Sequence, residues 1–108
     1  MTAPDLYPFA FGASDAVDVV LPEDEEDVAA INTAIFERMC AVPSVMSKGD
    51  AEMILRVIEK LQQQGADAVA HACTEIPMLF EMHQLECPIP SINTTRCLAE
   101  AVTRQMRA

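Results

Sequence analysis

Gly65-Ala-Asp-Ala-Val-Ala-His-Ala-Cys-Thr-Glu-Ile-Pro-Met-Leu-Phe80 joins a short apolar run to a helix start, with a cysteine at the junction. Ala66 to Ala72, interrupted only by Asp67 and His71, has the small-residue pattern of a strand covered on both faces. Thr74 fits the N-cap of the next helix, and Glu75 places a carboxylate in its first turn, where the helix dipole favours negative charge. Pro77 falls early enough in that helix to be tolerated. Cys73 is therefore expected at the C-terminal end of a strand, beside free backbone N–H groups, at the sheet edge where α/β folds bind ligands. Such a position is expected to lower a thiol's pKa and raise its thiolate fraction, as a cysteine base or nucleophile requires.

Strands and helices alternate on either side of this junction. Ala16 to Leu21 reads as a first strand stopped by Pro22, and Asp24 to Cys40 as a helix with Val28, Ile31, Ile35 and Met39 on one face. Ser47 to Asp50 resembles a capping box opening a second helix from Lys48 to Gln64, with Met53, Ile54, Val57, Ile58 and Leu61 inward and Gly65 as its C′ residue. A short helix from Glu75 to His83 is followed by a strand from Pro88 to Asn93. Thr94 or Thr95 then caps a last helix running to Arg107, whose apolar stripe is Leu98, Ala101, Val102 and Met106. Strands separated by helices predict an α/β fold, a three-layer α/β/α arrangement around a small parallel sheet. Residues 1–15 read as an irregular lead-in or the remnant of a preceding region, and residues 16–108 as a single domain.

Composition narrows the function. The 108 residues are 51% hydrophobic with only 3 Gly, so the chain is globular rather than disordered. There is no Trp, and 7 Met must help to fill the core. A formal net charge of −10 excludes nucleic acid and anionic membrane surfaces as expected partners, since both demand clustered Lys or Arg. The acidic run Glu23 to Asp27 is read as a first helical turn matched to the dipole. No stretch is long and apolar enough for a membrane span, no signal segment opens the chain, and a cytoplasmic location is expected. Cys40, Cys73, Cys87 and Cys97 form no C-x-x-C pair, so neither zinc nor disulfides are expected.

The quoted segment, the later run Pro88-Ile-Pro-Ser-Ile-Asn-Thr-Thr-Arg96 with Ala99-Glu-Ala-Val102, and the early run Val17-Asp-Val-Val-Leu-Pro22 resemble the C-terminal half of the aspartate/glutamate racemase family. The resemblance covers most of the chain, from Tyr7 to Met106. It implies the second-domain fold of that family and a cofactor-independent isomerase in which two thiols act on opposite faces of a substrate's α-carbon. Cys73 matches the family's second-domain cysteine, and Thr74 matches a residue that contacts the substrate carboxylate. Glu75 stands where the glutamate-racemase branch carries His, which points to the aspartate-racemase branch. Asn93 and Thr94, at the end of the last strand, are further candidate carboxylate contacts, although Thr as a helix cap explains Thr94 almost as well.

The chain also departs from the family. The family's first cysteine lies in an N-terminal Cys-Asn-Thr motif, and no Cys-Asn-Thr occurs here. Asn93 stands where Asp is common, Leu98 where His is common, and Ala72 where Gly is usual, so a methyl is added close to the expected substrate. The chain thus reads as truncated, with the partner that supplies the missing surface expected to be another copy or another chain.

The other thiols and the two histidines have simpler readings. Cys97 could in principle supply a second thiol, but packing accounts for it better; Cys40 and Cys87 read as inert apolar residues. His71 reads as a core histidine rather than an acid–base group, and His83 as part of a surface turn. Three functions follow: an acidic-amino-acid racemase completed by a second thiol-bearing surface, an inactive relic that binds small dicarboxylates, or an oligomerising module without a ligand. Cys73 and Glu75 are the candidate catalytic residues, and Thr74, Asn93 and Thr94 the candidate binding residues.

Overall fold

The computed structural model describes residues 18–41 and 45–107. The lead-in at residues 1–15, and Ala16 and Val17 of the expected first strand, lie outside the described residues. Helix α1 (Glu25–Thr33) starts at Asp24, whose carboxylate accepts from the Glu26 N–H at 3.0 Å, and three acidic residues occupy its first turn. It continues as a π-helical segment, Ala34–Met39. The Cys40 N–H bonds to the Ile35 carbonyl at 2.8 Å, a five-residue closure that displaces the apolar face from the 3.6-residue register. Ala34 and Met39, five residues apart, are buried, whereas Val28 of the expected inward face is exposed.

Helix α2 (Lys48–Gln63) follows the expected pattern. The Ser47 hydroxyl accepts from the Asp50 N–H at 3.1 Å, and Ala51, Ile54, Val57, Ile58 and Leu61 are buried. Met53, expected inward, is half-buried. Asp50 is also buried, with its carboxylate held by Arg38 in a bidentate pair at 2.7 and 2.8 Å. That pairing satisfies a charge that burial alone would penalise, and it ties the π-helical segment to the start of α2.

At the other end of α2, the Gly65 N–H bonds to the Gln62 carbonyl and the Ala66 N–H to the Leu61 carbonyl, both at 3.0 Å. These two bonds make a Schellman cap around Gly65 at φ +102°, a conformation that L side chains avoid. Gly65→Ala is expected to cost about 1–2 kcal/mol through backbone strain, because a Cβ there meets nothing within 4 Å. Gly49→Ala, inside the helix, is expected instead to stabilise by roughly 0.5–1 kcal/mol. Thermal denaturation of the two variants, with Tm shifts of opposite sign, checks this.

Strands β1 (Val69–His71) and β2 (Ser91–Asn93) pair in parallel, with Val69 opposite Ser91, Ala70 opposite Ile92 and His71 opposite Asn93. Both are shorter than the apolar runs suggest. Pro88 and Pro90 cannot donate to a ladder, so pairing begins with the Val69 N–H on the Pro90 carbonyl at 2.9 Å. Residues 18–24 form no strand, in contrast to the expected first strand: a strand persists only where a neighbour supplies the ladder, and among the described residues none pairs with residues 18–21.

Helix α3 (Glu75–Met82) follows β1, and α4 (Thr94–Arg107) follows β2. The core gathers Ala34, Met39, Ala51, Ile54, Ile58, Leu79, Phe80 and Ile89. The architecture is α/β, helix-rich, with a small parallel sheet whose strands both end, at His71 and Asn93, immediately before the segments that carry the candidate site.

Candidate active site

Cys73 lies between the end of β1 and the start of α3, half-buried. The backbone N–H groups of Ile76 and Glu75 favour its thiolate, as expected for a thiol at a helix start. The direction of its pKa is the reverse of the expectation. Burial pushes the Cys73 thiol up, the two N–H groups only oppose that effect, and the Glu75 carboxylate adds to it. A two-turn helix has a weak dipole, and a carboxylate beside a sulfur disfavours a second negative charge.

Glu75 is the hub of the site. The Thr74 hydroxyl, its own N–H and the Cys73 and Cys40 thiols lie close enough to hold its carboxyl below the usual carboxylate range, with Thr74 contributing most. Thr74 therefore does not act as expected. Its backbone is already helical, its side chain makes no cap bond, and its hydroxyl turns to the carboxylate beside it. Cys40 is the residue that the sequence reading missed. It closes the π-helical segment, and desolvation, then the charge of Glu75 and the hydrogen bond to it, raise its pKa. Nothing in the local pattern around Cys40 points to Glu75, because the contact exists only once the π-helical segment packs beside α3.

Removing the charge while keeping the shape tests this arrangement. Glu75→Gln is expected to lower the pKa of both Cys40 and Cys73, and so to raise their alkylation by iodoacetamide at neutral pH by roughly 2–10-fold. Exposed Cys97 serves as the internal reference. Unchanged or slower labelling of Cys73 would show that Glu75 does not hold the thiol protonated.

Asn93 and Thr94 lie at the end of the neighbouring strand, and the Asn93 carboxamide oxygen and the Thr94 hydroxyl are engaged. The Asn93 carboxamide oxygen accepts from the Arg96 N–H at 3.1 Å, so Asn93 rather than Thr94 or Thr95 caps α4. The Thr94 hydroxyl donates to the His71 carbonyl at 2.8 Å, fastening α4 to the end of β1. The structure thus brings Cys73, Thr74 and Glu75 into one cluster, with Asn93 and Thr94 on the adjacent strand end. Cys97 is exposed on α4. His83 lies in the turn that ends α3, as expected, but half-buried, its Nε2 lying 2.7 Å from the Met46 carbonyl.

A crystal structure described as that of a "putative Asp/Glu Racemase from Yersinia pestis" matches this chain with a TM-score of 0.66 and 29% sequence identity. The match covers 82% of this chain and 36% of that one. The fold is Asp/Glu racemase-like. The sequence matches no family model. In this racemase-like fold the Cys73–Thr74–Glu75 cluster sits at the C-terminal side of a parallel strand, the edge that α/β folds use for ligands. No helix among the described residues is long and apolar enough to cross a membrane.

Proposed function

We propose that this chain is the C-terminal half of an aspartate/glutamate racemase-type isomerase, of the aspartate-racemase branch, with residues 16–108 forming one domain. One observation carries the reading: a chain similar to an Asp/Glu racemase holds a half-buried thiol between a parallel strand and a helix start, against backbone N–H groups and a carboxylate. The substrate is a small acidic amino acid. Cys73 exchanges the α-proton on one face, and no cofactor is used. Glu75 orients and tunes the Cys73 thiol. Asn93 contacts a substrate carboxylate through its carboxamide N–H, the Thr74 and Thr94 hydroxyls exchange their present acceptors for the substrate carboxylates, and the N–H groups at the start of α3 stabilise negative charge as the α-proton leaves.

One thiol exchanges a proton but does not invert a centre, because inversion needs a donor on the opposite face. The second thiol comes from another copy of this chain or from a partner chain that supplies the missing domain, in the cytoplasm. One enantiomer of aspartate or glutamate should then slow iodoacetamide labelling of Cys73 without slowing that of Cys97, and the bound acid should lose its α-proton to solvent deuterium. Equal labelling with and without acid, together with an intact α-proton, would overturn the reading.

A second reading is supported by α4, which buries none of its residues and leaves Leu98, Val102 and Met106 exposed. On that reading the chain is an inactive dicarboxylate-binding or oligomerising module. Dicarboxylate binding without exchange, or a concentration-dependent mass indifferent to ligand, would favour it.

A further inference from the structure

One pair of matched side chains is left unused by the proposed reaction. Cys87, expected to be an inert packing residue, has its sulfur 3.6 Å from Nε2 of His71. The two come from different segments, the end of β1 and the stretch leading into β2, and His71 is held edge-on to Phe80 with ring centroids 5.5 Å apart. Both line an open cleft of about 640 Å³ beside α3.

A thiol and an imidazole placed in this way share one proton or hold one ion, whichever of them donates in the free protein. The spacing suits an ion: bonds of about 2.3 Å to sulfur and about 2.0 Å to nitrogen, at an angle of roughly 110–120°, span close to the 3.6 Å observed. Nδ1 of His71 has no hydrogen-bond partner among the described residues, so nothing pins the ring proton to one nitrogen, and Nε2 can present its lone pair. Burial lowers the pKa of His71, which keeps the imidazole neutral, and raises that of Cys87, so an ion must displace the thiol proton.

The ligands select the ion. Sulfur with imidazole nitrogen suits soft transition-metal ions rather than Mg²⁺ or Ca²⁺. No group of three His, Cys, Asp or Glu ligands gathers among the described residues, which disfavours four-coordinate zinc. Cu(I), which is soft and accepts low coordination numbers, fits the pair. Glu81 and Glu86 line the same cleft, and their charge favours a cation there. Asn93 also lines it, so the ion's place adjoins the candidate active site while using none of its thiols.

We propose that Cys87 and His71 bind one Cu(I) ion, with the cleft leaving a further position open to a small ligand. The S–H bond breaks, the sulfur and Nε2 each give an electron pair to the ion, and one proton passes to solvent; copper stays Cu(I) throughout. Affinity therefore falls as the pH is lowered, by up to about tenfold per pH unit.

The test supplies one equivalent of Cu(I), as its acetonitrile complex under argon, to the reduced whole chain, and follows iodoacetamide labelling of each cysteine by peptide mass spectrometry. Cys87 is expected to be protected at least about tenfold, while exposed Cys40 and Cys97 keep their rates, because a single thiol lacks the second ligand. This readout needs no variant to fold. Competition with bathocuproine disulfonate then gives the affinity, which His71→Phe and Cys87→Ala are each expected to weaken at least about tenfold and Cys97→Ala to leave unchanged. Protection that falls on Cys40 and Cys73, the two thiols beside Glu75, or that spreads evenly over all four cysteines, overturns the proposal, as does protection of Cys87 that His71→Phe leaves intact.

Discussion

Cys73→Ala is expected to abolish α-proton exchange, lowering the rate by about 10²–10⁴-fold, the contribution of a positioned acid–base group. Proton NMR of aspartate and glutamate in D₂O measures it directly. Cys73→Ser is expected to fail as well, since a serine hydroxyl keeps the shape of the thiol but ionises far outside the working range. Cys73 is half-buried and outside the core cluster, so neither change should alter the circular dichroism spectrum. Cys97→Ala is the control: Cys97 is exposed on a helix that buries none of its residues, and exchange by the single chain should persist without it. Exchange that survives in Cys73→Ala at the wild-type rate would remove Cys73 from the chemistry.

Leu79→Ala is expected to have the largest effect on stability. Leu79 is fully buried and belongs to the cluster formed by the π-helical segment, α2, α3 and Ile89. Emptying that position costs about 2–5 kcal/mol, because the lost transfer energy adds to an incompletely closed cavity. Small domains have only about 5–15 kcal/mol of stability in total. At roughly 4–8 °C per kcal/mol, Tm should fall by about 10–30 °C. Leu98→Ala, at a position 65% exposed, should change stability by less than about 0.5 kcal/mol. A Leu79→Ala variant that melts with the wild type would show that the packing described here does not hold the fold.

Much of this fold was legible because local chemistry wrote it. Ser47 before a periodic helix, and Gly65 after it, appear in the structure as the cap and the Schellman turn that their side chains demand. The junction from β1 through Cys73 to α3 was readable for the same reason: a strand pattern, a cysteine and a first-turn acid fall in sequence order.

What was not legible depends on contacts between distant segments. The π-helical closure at Ala34–Met39 shifts the buried face by a spacing that a 3.6-residue pattern does not contain. The meeting of Cys40 with Glu75, and of Cys87 with His71, arises from packing and not from either local sequence. Thr74 looked like a cap because Thr is a good one, but the carboxylate of its own neighbour competes for its hydroxyl. The raised thiol pKa at Cys73 escaped notice because a position at a helix start argues for the opposite sign, and burial decides the balance.

The most direct measurement of the central claim follows deuterium into the L and D enantiomers of aspartate and glutamate separately, each incubated with the unmodified chain in D₂O. A single acid–base sulfur at the end of β1 predicts deuterium at the α-carbon of one enantiomer, appearing faster than the opposite enantiomer forms. An α-proton retained by all four acids, at protein concentrations where Cys73 is shown to be reduced and reactive, would contradict it.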